Sequence, residues 1–194
     1  MMKVTLKLPN LKEIRPRNME TRETRRAELL ASYKRWFPQR SIQHMLDLDD
    51  RYPEVEIFGD QCISAEVGAG WAPLVEECLK VLALHGCKVG QIKQKFCELR
   101  VYWDYPPHIE LAIAEWRRQD PSHLKNDAGE WVYDPPMPYP DERARIASAV
   151  NPVIAAMAQQ SLRTCEDCGA DLGRDGGPSA GRRQCEECRA SSER

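Results

Sequence analysis

Several kinds of chemistry are missing from this sequence. Its 194 residues hold no glycine-rich phosphate loop, no strand-turn-helix nucleophile elbow and no His-Glu-x-x-His pair, which removes the common signatures of nucleotide binding, serine hydrolysis and zinc proteolysis. Histidine is scarce. The four present, His44, His85, His108 and His123, have no metal spacing among themselves, and His85 sits where a predicted helix ends, a place that favours a cation. The string His123-Leu124-Lys125-Asn126 lacks the further ligands that a one-metal nuclease needs. Asp47, Asp49 and Asp50 lack the glycine and distal glutamate of an EF-hand loop and read as solvated turn acids.

Long apolar runs are absent too. None approaches the ~20 residues that cross a bilayer, and the opening Met1-Met2-Lys3-Val4-Thr5-Leu6-Lys7 has no apolar stretch of the kind that directs export. The expectation is a cytoplasmic protein without membrane contact. With 42% hydrophobic and 30% charged residues, the chain has ordinary globular proportions. Its formal net charge is only −2. The charge is unevenly spread: residues 1–40 carry eleven Lys or Arg against four acids, and residues 41–80 carry nine acids against two bases. Such blocks are most simply solvated surface that pairs with itself in the fold, the alternative being two faces offered to different partners.

What the chain does have is cysteine, eight residues in all. Cys62, Cys78, Cys87 and Cys97 are scattered through predicted strands, a helix and a turn, and are expected to be unpaired thiols acting as small apolar groups. The other four form Cys165-Glu166-Asp167-Cys168 and Cys185-Glu186-Glu187-Cys188, two Cys-x-x-Cys knuckles separated by sixteen residues. That spacing brings four thiolates to the corners of a tetrahedron, the arrangement of a closed structural zinc site. One structural zinc ion held by Cys165, Cys168, Cys185 and Cys188 is therefore expected. Four thiolates leave no open position for water, so the metal would fasten rather than catalyse. Gly169 suits the tight turn after the first knuckle, whereas Arg189 stands at the matching place in the second. Structural zinc contributes ~10 kcal/mol or more to folding such small modules. Residues 161–194 hold six arginines against seven acids, a balance that argues against phosphate binding by the ribbon.

Periodicity supplies the rest. A short strand is predicted over Met2 to Leu8, and a helix from an Asn18 cap to Pro38, with Arg22, Arg25 and Arg26 on one face. A short helix from Ser41 to Leu48 comes next. Glu54 to Phe58 and Ile63 to Val67 alternate as strands joined at Gly59-Asp60. Trp71, Leu74, Val75, Cys78, Val81 and Leu82 trace an amphipathic helix up to Gly86, with Pro73 in its first turn. Cys87 to Gln94 and Leu99 to Trp103 read as a hairpin turning near Phe96-Cys97-Glu98, followed by a helix from Pro106-Pro107 with Ile109, Ile113 and Trp116 inward. Five prolines between 119 and 140 make that stretch a long loop. Asp141 is the expected cap of the last helical region. Pro152 then implies either a kink or a second helix capped by Asn151.

The predicted fold class is α+β: a small, mainly antiparallel sheet packed by helices, with a C-terminal four-cysteine zinc ribbon. The predicted divisions are an N-terminal strand and basic helix over 1–50, a core over 51–163 containing the proline-rich loop 119–140, and the ribbon over 164–190. Lys93, Lys95, Arg100 and Tyr102 concentrate cations and an aromatic ring on the hairpin. With Arg22, Arg25 and Arg26 they are the candidate contacts for a partner protein or for nucleic acid.

Gly70-Trp71-Ala72-Pro73-Leu74, Gln91-Ile92-Lys93-Gln94-Lys95-Phe96 with Leu99-Arg100-Val101-Tyr102, and the Cys165-Glu166-Asp167-Cys168-Gly169 knuckle together resemble a group of small proteins encoded by bacteriophages and prophages. The likeness runs from about Val67 to Cys188. In that group the turn after the phenylalanine usually carries glycines, where Cys97 and Glu98 stand here. The resemblance implies a phage accessory protein working in a bacterial cytoplasm, a class that includes inhibitors of host defence. The expected function is non-enzymatic binding of a host or phage protein, the alternative being a nucleic-acid-binding accessory or regulatory protein.

Overall fold

Helix formation in the middle of the chain follows from a short run of local rules. The computed structural model describes residues 24, 26–28, 30, 31, 43–58, 65–118, 137–173 and 183–192. The expected strand at 2–8, Arg22 and Arg25 of the basic helix, the Gly59-Asp60 link, Cys62, the loop over 119–136 and the turn around Asp175 lie outside them. Helix α1 is Gln43–Arg51. Strand β1 is the two-residue Ala65–Glu66. A single 3-10 turn, Ala69–Trp71, then leads into α2, Ala72–Leu84. Pro73 sits in the first turn of α2, where its missing N–H costs nothing. At the other end Gly86 takes φ +66, and the amides of Gly86 and Cys87 close onto the carbonyls of Ala83 and Leu82 at 3.1 and 2.9 Å, a Schellman termination.

Strands β2, Lys88–Lys95, and β3, Glu98–Asp104, form the expected antiparallel hairpin. Sheet order is β1-β2-β3, with β1 parallel to β2. Helix α3 spans Pro107–Arg118, α4 spans Pro140–Ser161 and α5 spans Glu186–Ser192. The protein is thus α+β. Its core lies between the sheet and the helices, where Ile92 and Leu99 meet Val75, Leu79 and Leu82 of α2 and Ile109, Ile146 and Val150 of α3 and α4. Met45 and Leu48 of α1, from the segment read as an N-terminal extension, are fully buried in the same cluster. Each such side chain contributes about 1.5–3 kcal/mol on leaving water.

Three local expectations change. Glu54 to Phe58 is not a strand: Pro53–Val55 is a 3-10 turn, and Glu56 adopts the left-handed region at φ 59. Lys88 Nζ reaches the Glu54 carbonyl at 2.6 Å and the Glu56 carboxylate at 2.7 Å, holding this segment against β2 by side-chain contacts. The apolar residues still point inward, since Val55, Ile57 and Phe58 are all buried. The last helix begins at Pro140 after Tyr139 in the left-handed region, so Asp141 lies in the first turn. That helix continues unbroken through Pro152, which is exposed, and Asn151 caps nothing. Asp49 is fully buried within α1 rather than solvated, with Arg26 Nη1 3.5 Å away.

Candidate metal centre

The first knuckle begins where α4 ends. Thr164 and Asp171 form an antiparallel bridge, and Gly169 closes the loop at φ +80 with its amide on the Cys165 carbonyl at 2.9 Å. The second knuckle is built differently. Cys185 precedes α5, and the Arg189 amide bonds the Cys185 carbonyl at 3.0 Å, so a helical turn replaces the glycine turn. This is why Arg189 is tolerated there.

The sulfurs of Cys165, Cys168, Cys185 and Cys188 all lie within 4.8 Å of one another, and those of Cys168 and Cys185 are 3.7 Å apart. A regular tetrahedron with ~2.3 Å metal–sulfur bonds has an edge of ~3.8 Å. The four thiols are free of disulfides, and among the described residues no histidine or carboxylate joins the cluster. Burial alone would push the Cys165 thiol up, but amide hydrogen bonds from Cys168, Cys185 and Asp167 bring it down to about 7. The Cys185 amide is 3.3 Å from that sulfur. Cys188 shifts the other way, raised by burial and then by its three sulfur neighbours. Without a cation, such a cluster cannot ionise fully; a bound metal ion removes the conflict. The donor set fits a tetrahedral metal.

The first knuckle is welded to the core. Gly70 donates its amide to the Glu166 carbonyl at 2.8 Å, Gly68 donates to Glu166 Oε1 at 3.2 Å, and Trp71 Nε1 donates to the Thr164 carbonyl at 2.9 Å. A Cβ at Gly70 would meet the Cys165 carbonyl oxygen at 2.2 Å, and one at Gly68 would meet the Glu166 carbonyl oxygen at 2.3 Å. Only glycine permits this approach. Trp71 and Glu166 are both buried. The second knuckle leans on the first, through the Glu166 amide to the Arg183 carbonyl at 2.7 Å and Gln184 Nε2 to Asp167 at 2.6 Å. These partners of the metal site, Gly68, Gly70, Trp71, Glu166 and Gln184, were not recognised from the sequence. Their one signal was the Gly-x-Gly spacing ahead of α2.

The hairpin residues also come together. Register pairs Lys95 with Glu98, Lys93 with Arg100 and Gln91 with Tyr102, which puts all six on the face opposite buried Ile92, Leu99 and Val101. Lys93 Nζ lies 5.0 Å from the Tyr102 ring centre and Lys95 Nζ 5.2 Å from that of Phe96, cation–π distances. Arg100 pairs with Glu98 at 2.6 Å. At the turn, Phe96 and Cys97 both hold positive φ, 54 and 61, and Phe96 is 81% exposed. Arg26 does not join this face: it grips Asp50 at 2.6 and 3.2 Å. His44 is committed as well, its Nε2 donating to the Val67 carbonyl at 3.0 Å. No described helix is long and apolar enough to cross a membrane. Comparison with protein-family models, curated proteins and solved structures returns no match for this chain.

Proposed function

We propose that the four cysteines hold one structural zinc ion and that the protein works by binding another protein rather than by catalysis. The observation that carries the reading is the hairpin tip. A solvent-exposed phenylalanine in a left-handed turn position costs about 1–2 kcal/mol per residue so placed, and strain of this kind persists where a surface is used. Phe96 stands there with Lys95 against its ring, and further along the same hairpin Tyr102, which is 46% exposed, carries Lys93 over its ring. A closed four-sulfur site supports a non-catalytic metal. The resemblance to phage-encoded proteins supplies the setting: a bacterial cytoplasm, and a host or phage protein as partner, with inhibition of a bacterial defence system as the outcome. The test is affinity capture from bacterial lysate with the full chain and with Phe96→Ala. A stoichiometric partner lost with the variant supports the reading, and its absence from both samples counts against it.

A second reading has one observation in its favour, the gathering of Lys93, Lys95, Arg100 and Tyr102 on one face, as a single-stranded nucleic acid would require. Arg26 is engaged by Asp50 and adds nothing to that face. Gel shifts with DNA and RNA at low salt decide the matter, because phosphate-driven binding is strongest there.

A further inference from the structure

We infer that the outer edge of β3 receives an extended segment of the partner protein, paired as an added strand, whose residues alternate aliphatic and acidic. This rests on the protein-binding reading and names the surface and the chemistry of the partner. Among the described residues β3 is an edge strand of the sheet. In a hairpin with a two-residue turn, the pair flanking the turn exchanges hydrogen bonds, and bonded pairs then alternate along the ladder. Glu98, Arg100 and Tyr102 therefore spend their backbone groups on β2, while Leu99 and Val101 direct theirs outward. The Leu99 amide confirms the parity, donating away from β2 to Ser161 Oγ at 2.9 Å. Ser161 thus closes the edge at one end, and Val101 is the next outward residue.

Beside Val101 the edge opens into a groove of about 380 Å³ between β3 and the second half of α4, with Ile154, Ala155 and Ala158 on the helix side. A strand laid here at the usual spacing of ~4.8 Å would send alternate side chains in opposite directions. One set enters the groove against Val101, Ile154 and Ala158, which selects aliphatic groups. The other set continues the outer face of the hairpin beside Arg100 and Tyr102. Arg100 is paired with Glu98 there, so Lys93 and Lys95 of β2 give that half of the hairpin its net positive charge, and charge complementarity selects acidic groups. Main-chain pairing supplies affinity and the alternating side chains supply selectivity, as in other strand-addition complexes.

The experiment uses the full chain and a short fluorescent peptide of alternating valine and glutamate, read by polarisation, beside its valine-lysine counterpart. Ala155 is exposed, so Ala155→Trp fills the groove without entering the core, and Ala156→Trp on the neighbouring exposed position is its control. The glutamate peptide should bind more tightly than the lysine peptide, lose about tenfold or more in affinity with A155W, and keep its affinity with A156W. Arg100→Glu should narrow the preference for glutamate. Equal binding of the two peptides, or unchanged binding to A155W, overturns the inference, as does an oligonucleotide binding to the groove in place of the peptide. A partner captured equally well by A155W would overturn this surface while leaving the protein-binding reading intact.

Discussion

Gly70 and Glu166 share a backbone hydrogen bond of 2.8 Å, and through it the turn that launches α2 is joined to the first cysteine knuckle. The four-cysteine site is therefore seated on the core through its first knuckle and is not a tail that hangs from it. Gly70→Ala tests this relationship. The added methyl would collide with the Cys165 carbonyl and the Gly169 amide, both backbone groups that cannot rotate away. A loss of about 3 kcal/mol is expected, read as a lowered denaturation midpoint, together with weaker retention of metal in a chelator competition. Full stability with G70A would mean that the knuckle is not seated on this turn.

Metal removal should act unequally on the two knuckles. The first is held by Gly68, Gly70 and Trp71 of the core, whereas Arg183, Gln184 and Cys185 beside the second bond to Glu166, Asp167 and Cys165 of the first. A chelator with reductant is expected to raise amide exchange strongly over 183–192 and weakly over 165–169, with α2 and the hairpin still protected. Uniform loss of protection would show that the ion holds the whole domain together.

The hairpin turn carries stored strain. Replacing Phe96-Cys97 by Asn-Gly supplies the residues that tolerate positive φ at both turn positions. Stability should rise by roughly 2 kcal/mol, visible as a higher urea midpoint at unchanged slope. Partner capture should fall, because the exposed phenylalanine is gone. A stabilised variant that captures the partner as before would detach the tip from function.

His44 gives the fold an acid sensitivity. Burial lowers its pKa below the usual histidine value, more strongly than the hydrogen bond to Val67 raises it. A depressed pKa means the folded state resists protonation, so this contribution is present above the unfolded value near 6.5 and is lost as pH falls through the folded value. Since the carbonyl of Val67 only accepts, the neutral ring carries its proton on Nε2. His44→Gln should remove this part of the pH dependence, read as the difference in urea midpoint between wild type and variant from about pH 7.5 to about pH 5. A constant difference across that range would contradict the assignment.

Local rules made much of the fold legible. The cysteine spacing, the apolar stripe of α2 and the alternation of β3 each depend on neighbours in sequence, and the structure keeps all three. The segment around Ile57 misled because a buried irregular turn can alternate as a strand does, and Pro53 with a positive φ at Glu56 decided otherwise. Pro152 left two readings open, and the single helix that runs through it on an exposed face excludes a second helix capped by Asn151. The seating of Cys165 to Gly169 on Gly68 and Gly70 was not legible, because it joins distant parts of the chain through backbone groups that every residue carries. Nor was the groove beside Val101, which exists only once α4 lies along β3.

Metal content of the full chain tests the account most directly. Protein purified without chelator is predicted to carry one zinc per chain, to release it when Cys165→Ser or Cys188→Ser removes a ligand, and to give a four-thiolate tetrahedral spectrum when cobalt replaces zinc. Substoichiometric metal, with all four cysteines reacting as free thiols in the folded protein, would contradict it.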